Sequence, residues 1–409
     1  MKSNGLKRKR IGWHGLIFLA LFFSLGIGGC EQLFPTQDQP SPPVKPPPAK
    51  KEIQKPAKTN LPDPVILGAV LELTGPAAPY GQWSKKGLDL AVEDLEAKGI
   101  NVKLIVEDGQ SDPKMAVSAF TKLATVDKVP AIVTTTISSS VMACAPIAER
   151  NQVILFAPGA SSPEITNAGD YVFRNRISGI FEVEKAAELA QKRLGLSKMA
   201  MLLVNNDFGL SYGEAFQKIY EQTGGAIVAK DTFASGATDI RVQLTKLTGL
   251  KYEGIFLVGQ VAECGYVLKQ AKELGIRTQW ISTIGVENAK LIEIAEDAAE
   301  GLIYTAPRYE LDDPGTSGFE QKYFARFQEH SNLYAANSYD ALHILVKAIQ
   351  SGGYTGAGIK NSLYLIKDYP GVSGTTTFDG NGDVAKPVVL KMVKGGKFVS
   401  YEATKKYPE

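Results

Sequence analysis

From Val65 onward, short apolar runs alternate with amphipathic stretches. This repetition constrains the fold more than any other feature of the chain. Val65-Ile66-Leu67-Gly68-Ala69-Val70 is brief, apolar and rich in β-branched residues, which predicts a buried strand. Gln82 to Lys98 carries apolar residues at Leu88, Leu90, Ala91, Val92 and Leu95, which predicts an amphipathic helix that ends at Gly99. Strands are expected next at Val102–Val106, Ala131–Thr135 and Val153–Phe156, with helices at Met115–Ala124 and Val141–Arg150 between them. The pattern then restarts. Helices are expected at Glu182–Leu194, Tyr212–Glu221, Ile240–Leu247 and Gly265–Leu274. Strands are expected at Met199–Val204, Ala226–Ala229, Gly254–Val258 and Gln279–Ser282. Strand–helix alternation is the mark of a parallel doubly wound sheet. So many units exceed one sheet, so the reading is α/β with two lobes.

The C-terminal part reads as helices at Gly318–Gln328 and Ala336–Gln350. Beyond them, Asp379-Gly380-Asn381-Gly382-Asp383 reads as a turn joining two β segments. It lacks the ligand run and distal Glu of a calcium loop, so no metal site is assigned.

The N-terminus is of another kind. Lys2, Lys7, Arg8, Lys9 and Arg10 precede the apolar run Leu16–Phe23, and small residues lead to Gly28-Gly29-Cys30. A charged head, an apolar middle and a small-residue exit form an export signal. Ile11 to Gly29 is also nearly long enough to be an uncleaved membrane anchor. Both readings put the rest of the chain outside the cytoplasm, held at a membrane. Leu33 to Pro64 then holds ten of the 22 prolines and cannot bury a core. At about 3.1 Å per residue it would reach on the order of 100 Å as an extended tether. A docking motif for a proline-reading domain, around Ser41-Pro42-Pro43-Val44, is the second reading.

Composition excludes several functions. Five of the 45 basic residues and none of the 43 acidic ones lie in the signal. The remainder therefore carries 40 against 43, a net −3 that gives no electrostatic case for nucleic acid. No H-E-x-x-H or C-x-x-C occurs, so the common zinc signatures are absent. Asp207-Phe208-Gly209 lacks the companion motifs of a kinase. No cofactor is expected, and the chain does not read as an enzyme. His343 falls in a helical pattern as a packing residue, and Cys144 and Cys264 read as buried free thiols on helices, with a disulfide between them, which an oxidising compartment would permit, as the second reading.

In open α/β sheets, ligands sit beyond the carboxyl ends of strands. Thr74–Gly81 after the first strand is a stiff loop presenting Tyr80. Ser138-Ser139-Ser140 and Pro158-Gly159-Ala160-Ser161-Ser162-Pro163 follow two later strands. Serines there can cap a helix. They can equally present hydroxyls and free N–H groups to an anion.

These residues resemble the leucine/isoleucine/valine-binding proteins. Thr74-Gly75-Pro76 with Tyr80-Gly81, Asp112-Pro113-Lys114, Ser138–Ser140 and Pro158-Gly159-Ala160 follow that family's order. Tyr171–Arg174, Asn206–Gly209, Lys269–Ala271, Ala299–Gly301, and Phe378-Asp379 with Gly382-Asp383 continue it, so the resemblance covers the chain from Val65 on. It implies two doubly wound parallel-sheet lobes joined by three crossover segments, with the ligand cleft between them. By position, lobe 1 would hold residues 65–180 and 307–385, and lobe 2 residues 181–306 and 386–401. Residues 30–64 would be the tether and residues 1–29 the signal peptide. The cysteine at the exit looks like a bacterial lipobox, implying cleavage before Cys30 and lipid on it.

The resemblance also implies a ligand site and partners. Ser138, Ser139, Ala160 and Ser161 would cradle a carboxylate, and the Gly159 carbonyl would take an amine. Tyr80 and Phe208 would flank the ligand's side chain. Gln260 stands where the family often has an aromatic, and Ile284 where branched-chain binders place an acid opposite the ammonium. Either Glu287 or Glu263 replaces that acid, or the ligand has no α-amino group. The implied partners are a small-molecule ligand, an amino acid or small carboxylate, and an ABC permease, with the membrane reached through the lipid anchor. A ligand-sensing lipoprotein without transport, and an unrecognised enzyme on the same fold, are the alternatives.

Overall fold

The computed structural model describes residues 61–401 except 135. The expected export signal, Cys30 and most of the expected tether lie outside the described residues. Among the described residues, no helix is long and apolar enough to cross a membrane.

The first strand, β1 (Val65–Leu71), is buried nearly throughout, as its unbroken apolar run requires. It is followed by α1 (Ala78–Glu96), β2 (Val102–Asp108), α2 (Pro113–Thr125), β3 (Ala131–Val133), α3 (Ser138–Asn151), β4 (Ile154–Phe156) and β5 (Val172–Phe173). These strands form one parallel sheet in the order β2-β1-β3-β4-β5. Local chemistry fixes the helix starts. Asp112 caps α2 by accepting from the Lys114 and Met115 amides, with Pro113 at the first turn.

The chain then crosses to a second sheet. In order come α4 (Gly179–Glu188), β6 (Lys198–Val204), α5 (Asp207–Gln222), β7 (Ala226–Phe233), α6 (Arg241–Leu247), β8 (Gly254–Val258), α7 (Val261–Glu273), β9 (Gln279–Thr283), α8 (Ala289–Ala295) and β10 (Ile303–Pro307). The helix expected from Glu182 begins three residues earlier. Gly179 allows this, because a Cβ there would lie 2.2 Å from the Tyr212 ring. After β10 the chain returns to the first lobe through α9 (Ser317–Phe327), α10 (Leu333–Gly352) and α11 (Gly356–Tyr364), where α10 packs on α1. It crosses a third time into β11 (Val388–Lys394) and β12 (Lys397–Ser400).

The second sheet runs β12-β11-β10-β9-β8-β6-β7. Its last two strands depart from the parallel pattern, since β10–β11 and β11–β12 are antiparallel. Gly395 and Gly396, both at positive φ, make the two-residue turn that this hairpin needs. Apolar clusters cover both faces of each sheet. The architecture is thus two α/β lobes linked by three crossings.

One expectation is corrected. The Asp379–Asp383 turn does not join two strands. Upstream of it lies only an isolated bridge between Tyr369 and Thr376, and the next strand starts at Val388. The turn is real, with Asp379 Oδ1 accepting from the amides of Asn381 and Asp383. Its role is to deliver Asp383 to Arg174 on the first crossover.

Candidate functional site

A narrow cleft with a cavity volume of about 40 Å³ lies between the lobes, at the carboxyl ends of the strands of both sheets. From the first lobe, the ends of β3 and β4 supply Thr136 to Ser138, and Gly159 with Ser161. Tyr80 comes from the first turn of α1. From the second, the ends of β6, β8 and β9 supply Asn206, Phe208, Gly259, Gln260, and Thr283 to Gly285. Arg176 from the first crossover, Tyr212 from α5 and Tyr334 from α10 complete the wall.

Tyr80 fastens the lobes together. Its hydroxyl donates to the Gly285 carbonyl at 3.0 Å and accepts from the Val261 amide at 3.2 Å. Trp83 and Tyr334 pack against its ring, with centroids 5.9 and 5.0 Å away. Gly81 lets α1 sit this low on β1, since a Cβ there would lie 2.0 Å from the Glu72 carbonyl oxygen. Two further links span the lobes. Ser162 and Ser211 hydroxyls are 2.8 Å apart, and the Tyr212 hydroxyl lies 2.9 Å from Ser161 Oγ.

The serine turns face this closure. Ser138 is the first residue of α3, whose N-cap is Ile137 with no side-chain cap, so Ser138 is not spent on capping. Its Oγ accepts from the Ser162 amide at 3.1 Å, which leaves the hydroxyl proton available to an acceptor in the cleft. Gly159 packs the β4 turn directly on the β3 turn, because a Cβ there would lie 2.5 Å from Thr136 Cγ2. Beneath the turns lies Glu72, 1% exposed. Its Oε2 accepts from the Thr136 amide and hydroxyl at 3.1 and 2.9 Å, while Oε1 has no partner among the described residues. Burial pushes this carboxyl up to about 7, against the opposing effect of the Thr136 bonds.

Of the residues singled out from sequence, the structure brings Tyr80, Ser138, Gly159, Ser161, Phe208, Gln260 and Ile284 to the cleft wall. Ser139 and Ala160 are not on it. Neither acid weighed as a substitute at Ile284 reaches the cleft. Glu263 closes a capping box on α7, accepting from the Gln260 amide at 2.8 Å and from the Gly236 amide at 2.5 Å. Glu287 pairs with Lys391 and lines an adjoining cavity, which shares Ile284 and Tyr334 with the cleft. Among the described residues, no carboxylate side chain lines the cleft.

Sequence reasoning missed Arg176, Tyr212 and Tyr334. Arg176 is 2% exposed, and its Nη2 donates to Glu182 Oε2 at 2.6 Å. Tyr212 Oη stands 2.7 Å from the same carboxylate oxygen. Burial opposes the charge on Arg176, but Glu182 beside it outweighs that and holds the guanidinium protonated.

Residues 64–397 match the family described as periplasmic binding protein. The chain belongs to this family. It is 26% identical over 327 residues to the leucine-, isoleucine-, valine-, threonine- and alanine-binding protein of Pseudomonas aeruginosa, covering 79% of this chain and 87% of that one. Among solved structures, it resembles the branched-chain amino acid transporter substrate-binding protein LivJ of Streptococcus pneumoniae, in complex with isoleucine. That match has a TM-score of 0.75 and 27% identity, over 82% of this chain and 97% of that one. The leucine-binding protein LivK of Thermotoga maritima matches with a TM-score of 0.78 and 26% identity, over 83% and 98%. These relatives carry the leucine/isoleucine/valine-binding resemblance read from the sequence.

Two of this periplasmic binding protein's other expected features also have structural answers. Cys144 and Cys264 are buried, free and on helices. His343 is buried on α10 against Tyr339, and burial pushes its imidazole down to about 4.

Proposed function

We propose that this chain is the solute-binding lipoprotein of an ABC importer of the branched-chain-amino-acid type. Its ligand is an amino acid or related small carboxylate, held between the lobes. The observation that carries this reading is the pairing of two hydroxyl-bearing turns, at Ser138 and Ser161, with Phe208 and Ile284 on the opposite wall of one cleft. Such a site offers donors for an anionic group and apolar surface for a tail. The relatives' printed ligands and transport roles favour it further. Export and lipidation at Cys30 belong to the proposal through the N-terminal pattern, which would hold the binding lobes outside the cytoplasm near a permease.

Alanine substitution tests the cradle. Losing one hydrogen bond to a charged group costs about 1.5–3 kcal/mol, or roughly ten- to a hundred-fold in affinity. Ser138→Ala is the cleaner variant, because Ser161 also meets Tyr212 across the lobes. Calorimetry with the ligand that co-purifies with the protein, identified by mass spectrometry, should show that loss for Ser138→Ala. Parent-like binding by a folded Ser138→Ala protein would place the ligand's anionic group elsewhere.

A further inference from the structure

Among the described residues, Arg176 is the one cation on the cleft wall, and it is only partly paired. Its Nη2 goes to Glu182, but Nε and Nη1 meet no acceptor among the described residues. A buried arginine held for structure alone commonly spends its planar fork on two parallel bonds. Arg174, two residues earlier, does so, with Nε and Nη2 both on Asp383. Arg176 therefore keeps two unspent donors beside the cleft, where Ser138 has its own unspent proton.

The opposite wall decides what these donors suit. The Ile284 side chain accepts no hydrogen bond, Glu263 is committed to backbone amides, and Glu287 is paired with Lys391 off the cleft wall. A ligand ammonium there would find no carboxylate on the cleft wall itself, since Glu182 lies behind Arg176 and Tyr212, and it would face the guanidinium first. A carboxylate would instead meet a fork of charge-assisted donors.

Resting on the reading of this cleft as the ligand site, we propose that Arg176 is its specificity-determining anchor. It takes the carboxylate of an anionic ligand that lacks an α-amino group, together with the Ser138 hydroxyl. The ligand class is thus a small monocarboxylate with an apolar body, such as a 2-oxo acid or an aromatic acid. Free amino acids are the class it rejects.

The experiment is calorimetry on the full chain with leucine, isoleucine, valine, their 2-oxo acids and benzoate. At least one deaminated acid should bind about a hundred-fold or more tightly than any of the three amino acids. Arg176→Gln should cost that acid at least about ten-fold. Because Arg176→Gln leaves Glu182 buried without its cation, the double variant Arg176→Gln, Glu182→Gln is measured beside it, with circular dichroism to check folding. Ile284→Glu keeps the arginine and should shift preference toward the amino acids. If leucine or valine binds and the acids do not, the proposal is overturned while the cleft's role as a carboxylate site stands. An acid preference that survives in the folded double variant removes Arg176 from the recognition. Failure of every compound to bind overturns both the proposal and the reading beneath it.

Discussion

Arg174→Met should destabilise the protein by about 3–5 kcal/mol, the cost of removing one partner from a buried ion pair. Arg174 is fully buried on the first crossover. Its Nε and Nη2 reach Asp383 at 2.5 and 2.8 Å, Nη1 donates to the Ser162 carbonyl at 2.8 Å, and Nη2 also donates to Thr166 Oγ1 at 2.8 Å. Asp383 precedes the third crossover, and the Arg174 amide donates to the Gly382 carbonyl at 3.0 Å. Methionine fills much of the volume but satisfies none of these acceptors, leaving Asp383 with the Thr166 hydroxyl alone. Ser162 belongs to the second serine turn, so the loss also loosens the support of the cleft. Urea unfolding of the parent, Arg174→Met and Arg174→Lys should rank them in the order parent, lysine, methionine. A methionine variant within about 1 kcal/mol of the parent would show that the network contributes little.

Glu72→Gln should stabilise the protein at pH 8 and have much less effect at pH 5. In the fold, Glu72 holds its proton up to about pH 7, against an ordinary value of 4.5, because burial penalises its charge. Its folded pKa is raised, so its contribution is complete below about pH 4.5 and is lost as pH rises through 7. The gap corresponds to roughly 3 kcal/mol between the two limits. Glutamine can still accept from the Thr136 amide and hydroxyl without carrying a charge. The difference between the variant and parent melting temperatures is measured from pH 5 to pH 8, so groups that titrate in both proteins cancel. A difference that stays constant over that range would mean that Glu72 is ionised in the fold at acidic pH.

Much of the fold was legible because the central strands are buried on both faces. β1, β6 and β8 are continuous apolar runs, which a polar exterior cannot produce. The strands that escaped local reading are β11, despite its apolar run, and three with little apolar signal. β5 has two residues, β10 carries Tyr304, Thr305 and Pro307, and β12 is a short edge strand containing Lys397. The Asp379–Asp383 turn was visible as a turn, but its packing against Arg174 depends on a partner over 200 positions away in the chain.

The candidate site divides along the same line. Ser138, Gly159 and Ser161 announce themselves because they directly follow strands whose carboxyl ends must face a crevice. Arg176 lies in a crossover that a strand–helix reading passes over, and Tyr334 opens a helix whose apolar spacing resembles ordinary core. The fate of Glu263 was illegible for another reason. A Glu near a cleft and a Glu closing a capping box look alike until the backbone amides that claim it are in place.

The central claim is that a small carboxylate binds between the lobes, against the two serine turns. A crystal structure of the protein with its co-purified ligand tests this most directly. The account predicts density for a carboxylate within hydrogen-bond distance of Ser138 Oγ, with the ligand's apolar body against Phe208 and Ile284. Ligand density outside this cleft, or a ligand inside it that leaves both serine turns untouched, would contradict it.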